Sequence, residues 1–467
     1  MIRPIKIFLY FVLVVLLILV IDQLLNDFDL FLFSKTRPAS PIVDTLSLSL
    51  PVDKKKIIEN SDSLLADSGT IDDKSLGLSL PPKVYYIDDS TLIAPEGFCR
   101  LLANFYEEAE QAKEHKTLIR ILHIGDSQIE ADRITGTLRK KFQERYGGRG
   151  PGFIIPYDPL RINANVHLSN KGEWVLSYSY RKGDSPGPLS YGFSSKVAWF
   201  RGETAGFTVG PYPWKRDRDA QFSRAKLFVI SGDDSLRVEI GFNSNNLRSE
   251  SVPADEGIQI VEVEDIPVGE KVSFTFFAKN SPTFHGLTLD GEYGVAVDNI
   301  AMRGRPWPGF RLADHKLLKS MASELNIGLF ILQFGTNVLP TRTDDYRFYY
   351  IHFVKELQVL KTLFPDIPVL IIGVQSSAEL IDNKVKPVRR ARLIADAQRS
   401  AALDCGMGFL DLQKAMGGID AAVTWAKQEP PFISSDYMHF TRKGAYEVGL
   451  KIWNLMEALR TKIEESN

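Results

Sequence analysis

Cysteines and metal-ligand patterns are scarce in this chain of 467 residues. Only two cysteines occur, Cys99 and Cys405, which excludes a disulfide framework and a cysteine-rich zinc site. The two could still pair in an oxidising compartment, because sequence spacing does not decide that. The 7 histidines show no metal-like spacing, so the sequence predicts neither a catalytic metal nor a cofactor.

The chain also lacks an excess of one charge sign, since it has 56 basic and 58 acidic side chains and a formal net charge of −2. No basic excess points to nucleic acid, so no nucleic-acid partner is expected. Hydrophobic residues make up 44% of the chain and aromatic residues 11%, which is enough for substantial cores. The length indicates about two or three domains.

A long apolar run lies near the N-terminus, from Ile7 to Ile21, after the basic residues Arg3 and Lys6. A positive start followed by such a run is typical of an export signal. No small-residue cleavage site follows the run, so we expect residues 1–28 to form an uncleaved signal anchor. A cleaved signal peptide is the alternative. Because the positive residues precede the run, we expect an inner-membrane anchor with the remaining chain in the periplasm or outside the cell.

The rest of the chain divides by composition and hydrophobic pattern. Residues 29–83 are rich in Ser, Asp, Leu and Pro without sustained periodicity, which predicts a largely irregular linker. Apolar strands alternate with helical patterns over 84–160 and again over 292–467, which predicts a parallel sheet covered on both faces. Over 161–291, short strand-like runs alternate with turn residues. The predicted architecture is therefore an α/β domain interrupted by an inserted β-sandwich or jelly roll.

Two short motifs carry candidate catalytic groups. A buried strand is predicted to end in Gly-Asp-Ser at 125–127, which places Ser127 at a strand-to-helix turn. Near the C-terminus, Asp436 and His439 precede a helical segment. A serine hydroxyl becomes an effective nucleophile when a histidine takes its proton and a carboxylate fixes the histidine tautomer. The plainer interpretations are a strand-ending turn at 125–127 and a helix cap at Asp436.

A serine nucleophile also needs donors where the oxyanion forms. Gly304 follows one predicted strand and can expose its backbone N–H, and Asn337 follows another and can donate from its amide. With the Ser127 backbone N–H these make an oxyanion hole beyond the carboxyl ends of the strands, where α/β sheets place ligand sites. Gly304 could instead serve a tight turn, and Gly294 and Gly309 lie nearby in the sequence.

Four motifs of this chain, in their order, resemble those of the SGNH (GDSL-type) hydrolases. They are Gly-Asp-Ser at 125–127, Gly304, Gly-Thr-Asn at 335–337 and Asp-x-x-His at 436–439. The resemblance covers about 85–160 and 290–460. It implies a flavodoxin-like α/β/α fold and hydrolysis of esters, often acetyl esters of carbohydrates. It also implies Ser127 as nucleophile, His439 as base and Asp436 as its orienting carboxylate, with Gly304 and Asn337 completing the oxyanion hole.

The interruption by a β-rich, carbohydrate-binding-like module is similar to SGNH-type peptidoglycan O-acetylesterases. Two segments also resemble envelope SGNH proteins of Bacteroidetes. They are Gly-Asp-Ser-Gln-Ile-Glu-Ala-Asp-Arg-Ile-Thr at 125–135 and Gly-Gly-Arg-Gly-Pro-Gly at 147–152. Two positions depart from the wider family: Gln128 replaces the usual Leu, and Val338 replaces an acidic residue that often follows the Asn. Aromatics such as Tyr212 and Trp214 could stack on sugar rings, although most aromatics in a sandwich belong to its core.

The leading functional hypothesis is an envelope-anchored serine esterase that removes acetyl or similar acyl groups from a cell-wall or surface glycan. The expected partners are the acylated glycan and, through the N-terminal anchor, the membrane. An O-acyltransferase would use the same residues but pass the acyl group to a sugar hydroxyl instead of water. A third hypothesis is a glycan-binding envelope protein without catalysis, because fold does not guarantee function.

Overall fold

The computed structural model describes residues 84–159, 164–180, 189–242 and 246–466. These residues lie in the unit Leu78–Asn467. Within these ranges, no helix is both long and apolar enough to cross a bilayer. The predicted anchor and linker, residues 1–83, lie outside the described residues.

The first layer of the fold is a seven-stranded sheet with the order β1-β2-β18-β15-β14-β3-β13. Its strands are β1 (Val84–Ile87), β2 (Leu92–Pro95), β3 (Leu118–Gly125), β13 (Gly294–Ala301), β14 (Ile327–Gln333), β15 (Val369–Ile372) and β18 (Gly408–Leu410). The strands from β18 to β13 run parallel, and the β1–β2 hairpin adds an antiparallel edge. The predicted parallel sheet is therefore present, with an antiparallel addition at one side.

Helices cover both faces of this sheet. They are α1 (Glu96–Gln111), α2 (Thr135–Tyr146), α3 (His315–Leu325), α4 (Arg347–Leu363), α5 (Arg390–Asp404), α6 (Leu412–Met416), α7 (Ala421–Ala426) and α8 (Arg442–Glu464). Alternation along β14 explains the two layers, because successive strand side chains point to opposite faces. Leu329 and Ile331 pack with α1, α2 and α8, whereas Phe330 and Leu332 pack with α3, α4 and α5.

The chain between the halves of the α/β sheet forms a nine-stranded antiparallel sheet. Its strands are β4 (Gly152–Ile154), β5 (Val166–Tyr178), β6 (Lys196–Pro211), β7 (Arg224–Ile230), β8 (Leu236–Phe242), β9 (Asn246–Val252), β10 (Gln259–Val263), β11 (Val272–Phe277) and β12 (Thr283–Asp290). A separate hairpin consists of β16 (Ala378–Ile381) and β17 (Lys384–Pro387).

Hydrogen bonds do not divide this insert into the two separate sheets that a sandwich would have. The long strand β6 pairs with β12 at Ala198 and with β11 from Thr204 to Val209, so it joins both regions. The strand β4 pairs with β12 although it precedes the predicted insert boundary at residue 160. An antiparallel β insert is thus observed, as one continuous hydrogen-bonded sheet.

A buried ionic cluster joins the insert to the α/β sheet. Arg120 on β3 donates to Asp298 on β13 at 2.7 Å and to Asp290 on β12 at 2.5 Å. All three side chains are buried, so the charges compensate one another away from water. The two cysteines, Cys99 and Cys405, are buried and free, so the disulfide alternative is not formed.

Candidate active site

The turn after β3 presents Ser127 at the carboxyl end of the parallel sheet. Gly125 ends the strand, where a Cβ atom would lie 2.7 Å from the Gln333 carbonyl oxygen of β14. The buried Asp126 carboxylate then accepts from the Gln128 and Thr336 backbone N–H groups, each at 3.0 Å. Burial raises the pKa of Asp126 and these hydrogen bonds lower it. Asp126 thus fixes the serine turn and ties it to the turn after β14.

Ser127, His439 and Asp436 meet in one hydrogen-bonded chain. The Ser127 Oγ lies 2.9 Å from His439 Nε2, and His439 Nδ1 lies 2.6 Å from Asp436 Oδ2. The remaining Asp436 oxygen accepts from the backbone N–H groups of Met438 and His439 at 3.0 Å. The three side chains have the order of a nucleophile, a base and an orienting carboxylate.

The helix-cap interpretation of Asp436 does not hold in the structure. Thr441 is the N-cap of α8, and its hydroxyl accepts from the Gly444 N–H at 3.1 Å. Asp436 instead bonds within its own loop, which a hydrogen bond from Ser434 N to His439 O closes at 2.7 Å. Although partial burial raises the pKa of Asp436, the hydrogen bonds from His439 and Met438 lower it further, so the carboxyl is held ionised.

The two other site residues follow the strands on either side of β3. Asn337 lies in a turn after β14, and its amide nitrogen donates to the Arg305 carbonyl at 3.0 Å. One amide hydrogen is thereby fixed, which leaves the second for another acceptor. Gly304 lies exposed in the turn after β13, with a φ of 79°. Since β3 lies between β13 and β14, both residues flank the serine turn.

The neighbouring glycines fit the oxyanion role less well. Gly294 begins β13 and lies at the opposite end of that strand from Gly304. The space beside Gly309 is filled by Arg305, because a Cβ atom at position 309 would lie 1.9 Å from Arg305 Nη2. Gly304 has nothing within 4 Å of such an atom, so the space beside it is open.

A ring of buried hydrogen bonds behind the site was not apparent from the sequence. The Gln128 amide donates to the Met438 carbonyl at 2.9 Å and accepts from the Phe440 N–H at 3.3 Å. Gln375 also donates to the Met438 carbonyl, at 3.3 Å, and accepts from the Thr336 hydroxyl at 3.3 Å. The ring therefore connects the chain neighbours of Ser127, Asn337 and His439. A glutamine in place of the usual leucine at position 128 was the one signal for it.

Arg133 adds a second link between the serine and histidine loops. Its guanidinium donates to the Ser127 carbonyl and, at 3.3 Å, to the Phe440 carbonyl. The hydrophobic pattern predicts a helix over 129–146, but the helix begins only at Thr135, because Ala131 and Asp132 have φ values of 57° and 58°. Such left-handed backbone is incompatible with a continuous helix.

The two arginines beside Gly304 differ from each other. Arg303 forms a two-point ion pair with Glu130, at 2.9 and 2.6 Å. The Arg305 guanidinium is buried, and it lies 4.8 Å from the ring centre of Tyr180 in the insert. Because the Arg305 carbonyl orients Asn337, the insert supports the proposed oxyanion region through this contact.

His123 lies within a strand predicted from the sequence, where a histidine is expected to belong to the core, and the structure places it there. His123 is fully buried on β3, with Nδ1 2.9 Å from the Thr135 hydroxyl and Nε2 3.2 Å from the Gln333 amide oxygen. Burial lowers its pKa to about 3, so the ring is neutral. Among the described residues, no group of three or more His, Cys, Asp or Glu side chains could hold a metal ion.

The sequence matches no protein-family model and no curated protein. The structure is similar to one of a peptidoglycan O-acetylesterase in action, with a TM-score of 0.60, 19% identity, and coverage of 79% of this chain and 96% of that chain. A family two carbohydrate esterase from Cellvibrio japonicus matches with a TM-score of 0.22 and 12% identity, over 65% of this chain and 98% of that chain. An acetyl xylan esterase matches with a TM-score of 0.24 and 18% identity, over 34% and 80%.

The first of these likenesses shows a shared fold across nearly the whole of the compared esterase. The TM-scores of the other two are too low to carry an argument. At 19% identity the likeness extends to the fold and leaves the activity to the chemistry of the site.

Proposed function

We propose that this protein is an SGNH-type serine esterase that removes acetyl or similar acyl groups from a cell-wall or surface glycan. The observation that carries the proposal is the unbroken chain from Ser127 Oγ through His439 to Asp436, with distances of 2.9 and 2.6 Å. Hydrogen bonds of this length are what transfer of the serine proton to an oriented imidazole requires.

In the proposed reaction, Ser127 Oγ attacks the ester carbonyl while His439 Nε2 takes its proton. The Ser127 and Gly304 backbone N–H groups and the free amide hydrogen of Asn337 stabilise the oxyanion. His439 then returns the proton to the departing sugar hydroxyl, which leaves an acyl-enzyme. Water then attacks the acyl carbonyl with His439 as base, the bond to Ser127 Oγ breaks, the acid is released and His439 returns the proton to Ser127 Oγ. Asp436 stabilises the imidazolium in both steps.

A glycan substrate is supported by the fold shared with a peptidoglycan O-acetylesterase, which makes acetylated peptidoglycan the first candidate. The openness of the site agrees with a polymeric substrate. The side chains of His439 and Asp436 are 31% and 47% exposed, so the base lies at the surface and an ester on a long chain can reach it.

The same exposure favours hydrolysis over transfer to a second sugar. An acyltransferase must keep water from the acyl-enzyme, which requires a closed and dry acceptor site. Here the imidazole that activates the second nucleophile is open to solvent. A binding protein without catalysis would have no use for a base hydrogen-bonded to its serine, so the intact chain of contacts also favours an enzyme.

The proposal also includes a place in the cell envelope, on the basis of the apolar run Ile7–Ile21 behind Arg3 and Lys6. Fractionation tests this part directly. The full chain is expected with the membrane, and deletion of residues 1–28 is expected to release it. Recovery of both proteins in the same soluble fraction would contradict the anchor.

The decisive test of activity is acetate release by the full chain in detergent, from a small acetyl ester and from O-acetylated peptidoglycan. Ser127→Ala should abolish release from both substrates. Ser251→Ala, at an exposed position on β9 of the insert, serves as the matched control and should retain it. Turnover that survives in Ser127→Ala would refute the proposed nucleophile, and acetate that appears on an added sugar would indicate transfer.

A further inference from the structure

A cavity of about 100 Å³ lies between the β insert and two parts of the α/β domain, the segment Ala131–Asp132 and the end of β13. We call it the junction cavity, because both parts of the fold line it. The α/β side contributes Ala131, Asp132 and Ala301, and the insert side contributes His167, Lys196 and Tyr212. Ala301 pairs with Gly125 at the ends of β13 and β3, so the junction cavity adjoins the strand end that carries Ser127.

Lys196 brings a positive charge to the wall of the junction cavity. In the part of the chain that the structure describes, no carboxylate forms an ion pair with its ammonium group. Burial lowers the pKa of Lys196, while the charges of Asp158 and Glu130 raise it and that of Arg303 lowers it. Glu130 in turn donates its backbone N–H to the Ser127 carbonyl at 3.3 Å.

Asp158 lines the same cavity and supplies acceptor oxygens. Lys196 has three hydrogens to donate, whereas an ionised Asp158 can only accept. Adjacent sugar hydroxyls both donate and accept, so a lysine and an aspartate in one cavity suit a polyhydroxylated ligand. The opposite charges also make the cavity a poor site for a simple anion.

An aromatic face continues outward from the junction cavity. Tyr212, which lines the cavity, stacks on Trp214 with ring centres 4.9 Å apart and planes at 21°. His167 packs against the same Tyr212 ring at 5.9 Å. Trp214 is 74% exposed, in contrast to the buried aromatics of the insert core such as Trp174 and Phe200. An indole held by a second ring offers a rigid apolar surface, which suits the C–H face of a pyranose.

The backbone on the other side of the cavity is held in an unfavourable conformation. Ala131 and Asp132 both have left-handed φ values although neither is glycine. The Asp132 carboxylate is fixed by Arg139 at 2.9 Å and by Asn165, next to β5 of the insert, at 3.0 Å. Backbone strain that surrounding contacts maintain in this way is typical of ligand sites.

We propose that the junction cavity and the Tyr212–Trp214 face form a subsite for a second sugar unit of a polymeric glycan. This unit neighbours the one whose ester Ser127 attacks, so the inference rests on the proposed function. Trp214 stacks on the sugar face, Lys196 donates to its hydroxyls and Asp158 accepts from them. The insert thereby makes the enzyme prefer esters on a chain over esters on a single sugar.

Two measurements on the full chain test the subsite. Calorimetric titration in the Ser127→Ala background uses an O-acetylated hexasaccharide strand of peptidoglycan, so that binding is read without turnover. Trp214→Ala and Lys196→Met are each expected to weaken this binding about tenfold, a change typical of losing one stacked ring or one charged donor. In the Ser127 enzyme, the same changes should lower the ratio of kcat/KM for the acetylated hexasaccharide to kcat/KM for the acetylated monosaccharide by a similar factor.

Matched controls are Tyr86→Ala, an exposed aromatic on β1, and Lys279→Met, an exposed lysine of the insert. Both should bind the hexasaccharide as the Ser127→Ala parent does. Three results would each overturn the subsite. The Trp214 and Lys196 variants could bind the hexasaccharide as tightly as the Ser127→Ala parent, the controls could lose as much affinity as those variants, or the parent could fail to bind the hexasaccharide. Failure of the proposed function would appear separately, as absence of acetate release by the Ser127 enzyme from every ester.

Discussion

The Gln128 side chain bonds to the backbone on both sides of His439, with its amide nitrogen 2.9 Å from the Met438 oxygen and its amide oxygen 3.3 Å from the Phe440 nitrogen. The residue after the proposed nucleophile therefore holds the loop of the proposed base. Gln128 is 1% exposed, so water cannot replace either contact without a rearrangement. Among the described hydrogen bonds, Gln128 has no contact with the Ser127 hydroxyl or the His439 ring, so we expect it to act by positioning the imidazole.

Gln128→Leu removes both contacts while keeping a side chain of similar volume. We expect kcat to fall by about 100-fold, because a catalytic group misplaced by about 1 Å costs that much. KM should change little, since Gln128 lies behind the site. Steady-state kinetics with a small acetyl ester measures both constants.

The matched control is Gln143→Leu, which removes a buried glutamine of α2 that donates to the Gly150 carbonyl at 3.1 Å. It should lower thermal stability as Gln128→Leu does but leave kcat near that of the original enzyme. If both variants lose kcat in proportion to their loss of stability, Gln128 is structural only and has no positioning role.

Asn337 is expected to contribute through the amide hydrogen that Arg305 does not use. Asn337→Ala should lower kcat by about 10²–10³-fold, the usual cost of removing one oxyanion donor. The effect on KM should be small, because the oxyanion forms only in the transition state. Asn280→Ala on the insert, whose amide donates to Asp234, is the comparison variant and should keep full activity. An unchanged kcat in Asn337→Ala would remove this residue from the oxyanion hole.

Asp436 is expected to matter less than a fully buried carboxylate of this type. Its side chain is 47% exposed, so solvent screens its attraction for the imidazolium. Loss of a buried orienting aspartate costs about 10⁴-fold in kcat, and we expect Asp436→Asn to cost on the order of 10²–10³-fold. Initial rates at saturating ester give this number. A variant as active as the parent would show that the backbone contacts of the loop orient His439 without the carboxylate.

Arg120 is expected to be the largest single electrostatic contribution to stability. Arg120→Met leaves Asp290 and Asp298 buried without their cation, which should cost about 3–5 kcal/mol in the free energy of unfolding. The comparison is Arg224→Met on β7, whose partly exposed pair with Glu262 at 3.2 Å is worth about 0–1 kcal/mol. Urea titrations of both variants measure the difference. Equal stabilities would mean that water or a shifted protonation state compensates at the cluster.

Much of the fold could be predicted from hydrophobic period alone. Hydrophobic period predicts a strand over 294–301, which coincides with β13, and a helix over 388–403, which differs from α5 by one or two residues at its ends. Both elements have a buried face that repeats with their own period. Hydrophobic period does not predict β9, because its sequence Asn-Leu-Arg-Ser-Glu-Ser-Val is mostly polar. It lies at the edge of the insert and pairs only with β8, so few of its side chains need to be apolar.

The site was predictable as a set of residue types but not as a network. Ser127, Asn337 and His439 could be named because each follows a strand or precedes a helix. The bond between Gln128 and Met438 spans 310 positions, and no local pattern reports such a contact. The late start of α2, after the left-handed residues Ala131 and Asp132, also depends on tertiary contacts, because the Asp132 carboxylate bonds to Arg139 and Asn165. These features arise from tertiary contacts that override local propensity.

His123 gives the clearest expected pH dependence of stability. Burial lowers its pKa to about 3 in the folded protein, whereas an unfolded chain has a histidine pKa near 6.5. Between these values the unfolded state binds the proton and the folded state does not. The stabilising contribution is therefore complete above about pH 6.5 and is lost as the pH falls towards 3.

Urea unfolding measures the free energy of unfolding at pH 7 and at about pH 4.5. His123 should account for a decrease of about 2–3 kcal/mol, because about two pH units below 6.5 each contribute about 1.4 kcal/mol. His123→Gln keeps a hydrogen-bonding side chain beside Thr135 and Gln333 but cannot take up the proton. We expect the variant to be less stable at pH 7, because a glutamine differs in shape from the buried imidazole, and to lose less stability on acidification. Parallel losses in the two proteins would mean that His123 already binds its proton in the folded state, in conflict with its complete burial.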